Sequence, residues 1–309
     1  MNQYRVDGSL IIAVDHGFEN MKTANIVFSN GMAVYDTEPI MSRDYLFFEG
    51  KYYVLNQGHK PYASEKINDD DFYILTIAAI AKELRLRGIT RERVHLAVGL
   101  PLKWRDVQQE EFKKYLLRNK HVEFTYCGSK YFVDITGCSV MPQCYAAVAE
   151  KLGSYQGLNM LADIGNGTMN VMYLQDGRTI EKKMWTEILG VKQCALLIHD
   201  AVLNKFQVEL DESLLNSYLM KGRADVDEEY LSFMEDTAKT YVQSIFLKLK
   251  ELGYNSKLMK LHFMGGGAKL VELFGEYESA RVSFNHDICA NAKGFEYFCY
   301  LAMRKRRRA

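Results

Sequence analysis

Three short glycine-bearing turns, each directly after an apolar stretch, are the segments of this sequence best suited to chemistry. They occupy residues 15–22 in "LIIAVDHGFENMKTANIVF", 163–168 ("DIGNGT") and 265–267 ("MGGGAKL"). Successive backbone N–H groups hold phosphate well, and glycine lets the backbone come close to it. An aspartate at a strand end can hold Mg²⁺ through water, and a lysine adds a point charge. One such turn is usually only a turn, but three in this order favour phosphate binding.

Strand and helix patterns surround the first turn. "SLIIAVD" and "TANIVFS" are predicted as strands on either side of it, and "RVHLAVGLP" as a buried strand. "YLFFEGKYYVL" and "VEFTYCGSKYFVDITG" are predicted as hairpins that turn at 49–50 and 127–129. Amphipathic helices are predicted at 69–88 and in "WRDVQQEEFKKYLLRN", and a short helix in "MPQCYAAVAEKL" with Pro142 near its first turn.

The layout starts again at residue 158. "LNMLADIGNGTMNVMYLQDGRTI" again gives strand, turn and strand, followed by helix-rich sequence at 188–252. The third turn lies between a strand and a helix, and the chain ends in a helix with five basic residues at 304–308. Weak similarity between two halves indicates a duplicated unit. The pattern therefore predicts an α/β protein of two similar lobes.

Composition excludes several classes of protein. Lys plus Arg equal Asp plus Glu at 39 each, so the molecule as a whole is not an electrostatic binder of nucleic acid. The six cysteines form no C-x-x-C pair, which disfavours zinc and favours thiols in a reducing cytoplasm. The sequence shows no signal-peptide pattern and no apolar run of transmembrane length, so we expect a cytoplasmic protein without a membrane partner.

Familiar nucleotide and hydrolase motifs are missing from the sequence. It contains no G-x-x-x-x-G-K-[ST] of a P-loop, and no G-x-G-x-x-G after the first strand. It also contains no G-x-S-x-G elbow and no H-E-x-x-H.

The order of the turns resembles that of the actin, sugar kinase and heat-shock chaperone ATPase superfamily. The first turn is similar to its phosphate 1 motif, the second to phosphate 2, and 265–267 to the adenosine motif. "SVMPQCYAAVAE" matches the first connecting helix. "VGLPLKW", "VMPQ" and "DIGNGTMNV" resemble bacterial plasmid-segregation actins of the ParM/StbA type. The resemblance spans about residues 9–303 and implies an actin-like (ribonuclease H-like) fold, with two lobes around a nucleotide cleft.

The resemblance also implies roles for individual residues. Asp15 and Asp163 would organise Mg²⁺ and its waters, and Gln143 would orient the attacking water. Nucleotide would be bound by one larger set of residues: Gly17, Phe18, Glu19, Asn20, Lys22, Gly165, Asn166, Gly167, Thr168, Lys221, Gly265, Gly266 and Gly267. The implied cofactors are ATP, with GTP as an alternative, and Mg²⁺.

Two positions depart from the family pattern. Phe18 stands where relatives commonly carry a small hydroxyl residue, so a side-chain contact to the γ-phosphate is lost. Asn170 stands where many relatives have a second aspartate, which removes one charge. Neither change removes the backbone groups that would clamp the phosphates.

The implied organisation has three parts. Residues 1–157 form actin-like domain I, with a small subdomain at about 30–70. Residues 158–290 form domain II, with a helical subdomain at about 190–255, and 291–309 return to domain I as a helix.

The expected function is that of a slow, filament-forming ATPase that segregates plasmid DNA. It would assemble head to tail with itself and reach the DNA through a DNA-binding adaptor protein. The alternative is a small-molecule kinase of sugar or acetate type on the same fold, with Asp134 as a candidate general base. For the basic residues 304–308, a solvated helix end and an electrostatic contact both remain open.

Overall fold

The computed structural model describes residues 3–58 and 70–308, so Asp69 and part of the predicted small subdomain lie outside the described residues. In chain order, the strands are β1 Arg5–Val6, β2 Ser9–His16, β3 Asn20–Lys22, β4 Val27–Ser29, β5 Met32–Tyr35, β6 Tyr45–Phe48, β7 Lys51–Leu55, β8 Arg91–Leu100, β9 His121–Tyr126, β10 Ser129–Pro142, β11 Leu158–Ile164, β12 Met169–Gln175, β13 Arg178–Glu187, β14 Lys260–Met264 and β15 Val282–Phe284. The α-helices are α1 Asp71–Leu86, α2 Leu102–Leu116, α3 Val191–Phe206, α4 Glu212–Lys221, α5 Glu228–Glu251, α6 Ala268–Phe274 and α7 Ala290–Arg308. Two 3-10 helices span Ala146–Ser154 and Ser279–Arg281.

The chain divides into two units. Unit 1 contains residues 1–150 and 289–309, and unit 2 contains residues 151–288. The sheet of unit 1 has the order β4-β3-β2-β8-β10-β9-β6-β7-β5, and β1 pairs with β2. Strands β2, β8 and β10 run parallel to one another, β3 pairs antiparallel with β2, and β4 pairs antiparallel with β3.

The central strand β2 is buried along its whole length because helices cover both faces of the sheet. Leu10, Ile12 and Val14 belong to the core that contains α1, whereas Ile11 and Ala13 belong to the core that contains α7. Successive side chains of a strand point to opposite faces, so this continuous apolar run serves both cores. The burial explains why "SLIIAV" lacks polar alternation.

Unit 2 contains a five-stranded sheet in the order β13-β12-β11-β14-β15. Strand β11 pairs antiparallel with β12 and parallel with β14, and β14 pairs parallel with β15. Apolar side chains of β11 and β12 share one core with α3, α4, α5 and α6. This helical layer accounts for the helix-rich sequence at 188–252.

The two units share one strand arrangement. In unit 1 the order β4-β3-β2-β8-β10 has two antiparallel pairings followed by two parallel pairings, and in unit 2 β13-β12-β11-β14-β15 has the same sequence of pairings. The central strand of each arrangement, β2 in unit 1 and β11 in unit 2, therefore occupies the same topological position. The predicted α/β fold with a repeated unit is confirmed.

The predicted short helix in "MPQCYAAVAEKL" forms differently. Pro142 is the last residue of β10, and the helix that follows is a 3-10 helix that begins at Ala146. The Gln143 N–H donates to the Leu100 carbonyl, and Cys144, at φ +69°, donates its N–H to Asn291 Oδ1. These bonds hold the backbone to β8 and α7, so an α-helix cannot begin at Pro142.

The predicted strand "TANIVFS" is also only partly formed. Residues 20–22, expected within the turn, form β3, and the strand that follows is limited to β4. Between them the Thr23 N–H donates to the Ile26 carbonyl at 2.8 Å, which makes a second tight turn. The two predicted hairpins at 49–50 and 127–129 form as expected, as β6–β7 and β9–β10.

None of the six cysteines, all within the described residues, is in a disulfide, and five of the six are buried. Over residues 3–58 and 70–308, no helix combines the length and the apolar character needed to cross a bilayer.

Candidate functional site

The first predicted turn joins β2 to β3 at the carboxyl end of β2. Asp15 is 3% exposed and pairs in register with Lys22. The Gly17 N–H donates to the Asp15 carbonyl at 3.1 Å and closes the reversal. A Cβ on Gly17 would lie 2.3 Å from the Asn20 carbonyl oxygen, so only glycine fits there. The Asn30 N–H, just after β4, donates to the Glu19 carbonyl at 3.0 Å. This bond fixes the end of the loop that leads into β3.

Asp15 contacts Gln143, another predicted site residue, from a distant part of the chain. Gln143 Nε2 lies 2.8 Å from Asp15 Oδ1, and Lys22 Nζ lies 4.0 Å from Asp15 Oδ2. They meet because β2 and β10 both run parallel to β8, so their carboxyl ends share one edge of the sheet. A carboxylate can only accept, so the Gln143 amide points its NH₂ group at Asp15. The Gln143 carbonyl oxygen, Oε1, therefore stays available to accept from another donor.

Phe18, which stands where a small hydroxyl residue was expected in the first turn, makes an aromatic contact. Its ring centroid lies 6.1 Å from that of Trp104, and the ring planes meet at 77°, an edge-to-face pair. Trp104 lies in the first turn of α2, within "VGLPLKW", directly after β8. The side chain at this position thus packs against α2.

A buried carboxylate that sequence reasoning missed anchors the turn after β3. Glu83 of α1 accepts from Thr23 Oγ1, and from Asn25 Nδ2 at 3.2 Å. The same carboxylate forms an ion pair with Arg87, and both side chains are almost fully buried (0% and 1% exposed). A buried charge of this kind requires partners on all sides, and here it has them. The arrangement fixes the end of the strand that carries Lys22, across 60 residues of sequence.

The second predicted turn joins β11 to β12. Asp163 is 5% exposed, and the Gly165 N–H donates to the Thr168 carbonyl at 2.8 Å. The Gly165 and Asn166 carbonyls accept from the first two N–H groups of α3, at 3.1 and 2.9 Å. Within the described residues, the N–H groups of Asn166 and Gly167 have no acceptor. Adjacent backbone donors with no acceptor suit an anion.

The third turn lies directly beside Asp163, because β11 and β14 are parallel neighbours in the sheet. Gly265 has φ +79°, and a Cβ there would lie 2.5 Å from Asp163 Oδ1. The Gly267 N–H donates to the Ile164 carbonyl at 2.9 Å, and a Cβ on Gly267 would lie 2.2 Å from Ile164 Cγ2. A Cβ on Gly266 would meet nothing within 4 Å. The triplet therefore has two packed glycines and one open position.

Three further residues, Lys221, Asn170 and His16, have distinct surroundings. Lys221 is exposed at the end of α4, and its contact with nucleotide stays a prediction. Asn170, where a second aspartate is common, accepts through Oδ1 from Thr186 Oγ1 at 2.8 Å on the neighbouring strand β13. His16 is fully buried, and its Nε2 lies 2.7 Å from Thr76 Oγ1 of α1. His16 therefore links the end of β2 to α1.

The donor set is compatible with Mg²⁺ but does not form a cage. Across residues 3–58 and 70–308, no three His, Cys, Asp or Glu side chains are grouped so that they could hold a metal ion. Mg²⁺ commonly uses one or two carboxylates, water and substrate phosphates rather than an all-protein site. Asp15 in unit 1 and Asp163 in unit 2 are each a buried carboxylate beside a glycine turn, and each by itself fits that pattern.

Comparison with known proteins identifies the class of fold. Residues 13–145 match the family model described as "Actin like proteins N terminal domain". This range includes the first turn, "VGLPLKW" and Gln143. No curated protein matches the chain significantly. The protein has the actin-like fold, as predicted.

Solved structures extend the match over nearly the whole chain. The archaeal actin homologue Ta0583 in complex with ADP has a TM-score of 0.72 at 19% identity, covering 94% of this chain and 98% of its own. The apo psk41 ParM protein has a TM-score of 0.71 at 15% identity, covering 97% and 100%. The Alp12 filament structure has a TM-score of 0.68 at 17% identity, covering 96% and 99%. At these identities the matches show the fold.

Proposed function

We propose that this protein is an ATP-dependent, filament-forming actin-like protein that segregates plasmid DNA, polymerising with ATP bound and disassembling after hydrolysis. The observation that carries the proposal is the repeated phosphate turn. Each unit has one Asp-x-Gly turn after the equivalent strand of the same sheet arrangement, at Asp15 and at Asp163. Similarity to a ParM protein and to the Alp12 filament supports the choice of a filament.

Nucleotide binding in this proposal depends mainly on the backbone. Gly17, Phe18, Glu19 and Asn20 would bind phosphate in unit 1, together with the Lys22 charge. In unit 2, Gly165, Asn166, Gly167 and Thr168 would bind phosphate, Gly265, Gly266 and Gly267 would line the nucleoside, and Lys221 would reach the ribose. The unsatisfied N–H groups of Asn166 and Gly167 and the open space at Gly266 support this assignment.

Hydrolysis would depend on the Asp15–Gln143 pair. ATP supplies the γ-phosphoryl group, and Mg²⁺ supplies the charge that neutralises it. Gln143 donates its N–H to Asp15, so its Oε1 can accept an O–H of the attacking water and orient it. An amide does not remove a proton as a base does, so slow turnover follows, which suits a timer for filament lifetime.

The proposed partners follow from assembly and charge. A heterologous head-to-tail contact between copies does not close and so forms a filament. Because the chain has a formal net charge of +0, a DNA-binding adaptor, rather than the filament itself, would read the plasmid site. The proposed location is the cytoplasm.

Sedimentation and light scattering of the purified chain test the proposal. Mg-ATP should give polymer that disappears after hydrolysis, and electron microscopy should show filaments that persist with a non-hydrolysable ATP analogue. Parallel runs with GTP decide nucleotide preference. ATP binding without any polymer over a wide range of protein concentration would eliminate the filament hypothesis.

The site assignment has its own test in Asp163→Ala. Removing this charge should abolish hydrolysis while circular dichroism stays unchanged. Glu209→Ala, which removes an exposed carboxylate of the same unit, is the matched control. Wild-type turnover in Asp163→Ala would show that the site has been misplaced.

The kinase alternative loses its candidate base. Asp134 pairs in register with Arg93 of β8, whereas Pro142, just before Gln143, pairs with Leu100. At about 3.3 Å per residue, Asp134 lies about 30 Å from Gln143 along β10. Asp134 also lies 2.6 Å from His121 Nδ1, at the opposite end of the sheet from Asp15. ATP consumption that rises strongly with one metabolite would favour the kinase.

A further inference from the structure

A polar cavity of about 550 Å³ lies within unit 1, apart from the three turns. Its lining includes Glu296 and Lys293 of α7, Asn25 from the turn after β3, and Glu150 from the 3-10 helix. This volume is within the range of about 300–1,000 Å³ that is typical of small-molecule sites. We call it the Glu296 cavity.

Glu296 is the most buried polar group of this cavity. Its side chain is 2% exposed, and Oε1 accepts from the Ala13 N–H of β2 at 3.3 Å. Among the described residues no other group bonds its carboxyl, so the second oxygen, Oε2, has no hydrogen-bond partner there. A carboxyl in this position, with one protein hydrogen bond, keeps an oxygen that a ligand in the cavity can pair with.

We propose that the Glu296 cavity binds an organic cation with a primary ammonium or guanidinium group, which pairs with the Glu296 carboxylate. When Glu296 is ionised, the charges of the lining favour a cation, because Glu296 and Glu150 contribute two carboxylates and Lys293 one ammonium. Lys293 and Glu150 are both exposed, so water screens them, whereas Glu296 is at the buried end. A cation that enters the cavity therefore meets its strongest partner at Glu296.

A metal ion fits less well than an organic cation. In the part of the chain that the structure describes, no cluster of His, Cys, Asp or Glu has the grouping that a metal requires, although Glu150, Cys289 and Glu296 all line this cavity. The volume is also far larger than one ion needs. An elongated diamine can place one ammonium at Glu296 and leave the other near the exposed rim.

The surroundings of Glu296 predict that binding of a cation releases a proton. Burial is the main cause that raises the pKa of Glu296 to about 8, and Glu83 raises it further, while the Ala13 N–H and Arg87 act in the opposite direction. Lys293 and Glu150 at the rim are the other charged groups that face it. At pH 7 the carboxyl is therefore mostly protonated and neutral. Pairing with a cation requires the carboxylate, so binding releases close to one proton.

Isothermal titration calorimetry of the full chain with 1,4-diaminobutane tests the proposal, with 1,4-butanediol as the neutral probe of similar length. We expect saturable 1:1 binding of the diamine and none of the diol. Affinity should rise about tenfold for each pH unit between about pH 6 and 7.5, because one proton leaves per ligand bound. At pH 7 the heat should vary with buffer ionisation enthalpy as expected for nearly one proton.

Glu296→Gln keeps the acceptor for Ala13 and the side-chain volume, and it should weaken diamine binding at least about tenfold and remove the pH dependence. Glu209→Gln, an exposed carboxylate of unit 2, is the control and should bind as the wild type does. No saturable diamine binding at millimolar concentration, equal binding by Glu296→Gln, or binding without proton release would each overturn the proposal. If Glu296→Gln folds poorly, the proton release measured when the wild type binds the diamine still tests the proposal.

Discussion

The stability of unit 1 should depend on pH through Glu296. Its pKa is raised from the ordinary glutamate value of 4.5 to about 8 in the folded protein, chiefly by burial. Between these two values the unfolded chain releases this proton while the folded protein keeps it. The stabilising contribution of the neutral acid is therefore fully present below pH 4.5 and is lost as the pH rises through about 8.

The magnitude follows from the same two values. Each pH unit corresponds to about 1.36 kcal/mol of free energy per proton. Over the interval from 4.5 to about 8, the contribution of Glu296 to the free energy of unfolding should fall by an amount on the order of 5 kcal/mol. Glu296→Gln stays neutral at every pH, so the wild-type-minus-variant difference isolates this effect.

Urea unfolding followed by tryptophan fluorescence measures the difference. The chain has two tryptophans, and Trp185→Phe in both proteins leaves Trp104 as the reporter of unit 1, which contains Glu296. The difference in free energy of unfolding should fall with a slope of about 1.4 kcal/mol per pH unit between about pH 5 and 7.5. Glu209→Gln is the control for a change in net charge. Parallel pH profiles for wild type and Glu296→Gln would refute the reasoning.

Four further predictions concern the turns and a partly buried histidine. Gly265→Ala should destabilise unit 2 by about 1–3 kcal/mol, because alanine is strained at a φ of +79° and its Cβ would lie 2.5 Å from Asp163 Oδ1. Gly266→Ala should leave denaturation unchanged and weaken nucleotide binding, so wild-type affinity in that variant would exclude nucleotide contact there. Alanine replacements of Phe18 and Trp104 should show a coupling energy of about 0.5–1.5 kcal/mol in a double-mutant cycle, and additivity would exclude the ring contact. Burial lowers the pKa of His262 to about 4 from 6.5, so it contributes stability above pH 6.5 that is lost as pH falls through about 4. His262→Gln should therefore reduce acid destabilisation of unit 2 by about 1.4 kcal/mol per pH unit in that window, and an unchanged acid limb of the urea titration would contradict the assignment.

Local chemistry made much of the fold predictable. The hairpins at 49–50 and 127–129 were predictable because each places a glycine, Gly50 or Gly128, at positive φ between two alternating strands. The strands that precede the three turns were equally clear, since each is a short apolar run that ends at an acid or a glycine. The 3-10 helix at Ala146 was not predictable in this way. The bonds that displace its start come from β8 and α7, which are distant in sequence.

The environment of the candidate site depends on contacts between distant segments. Gln143 was assigned only through the family resemblance, and its bond to Asp15 joins residues 128 positions apart. Glu83 and Glu296 carry no sequence signal, because a glutamate in an amphipathic helix is normally exposed. Their burial becomes visible only when α1 and α7 lie against the sheet.

The repeated sheet gives a reason for Phe18. The turn after β8 in unit 1 and the turn after β14 in unit 2 occupy equivalent positions, each beside the strand that ends in an aspartate turn. In unit 2 that position carries Gly265–Gly267 and leaves open space, whereas in unit 1 it leads into Trp104, which packs on Phe18. A hydroxyl residue at position 18 would lose this contact. The Phe18–Trp104 contact therefore ties the first turn of unit 1 to the start of α2.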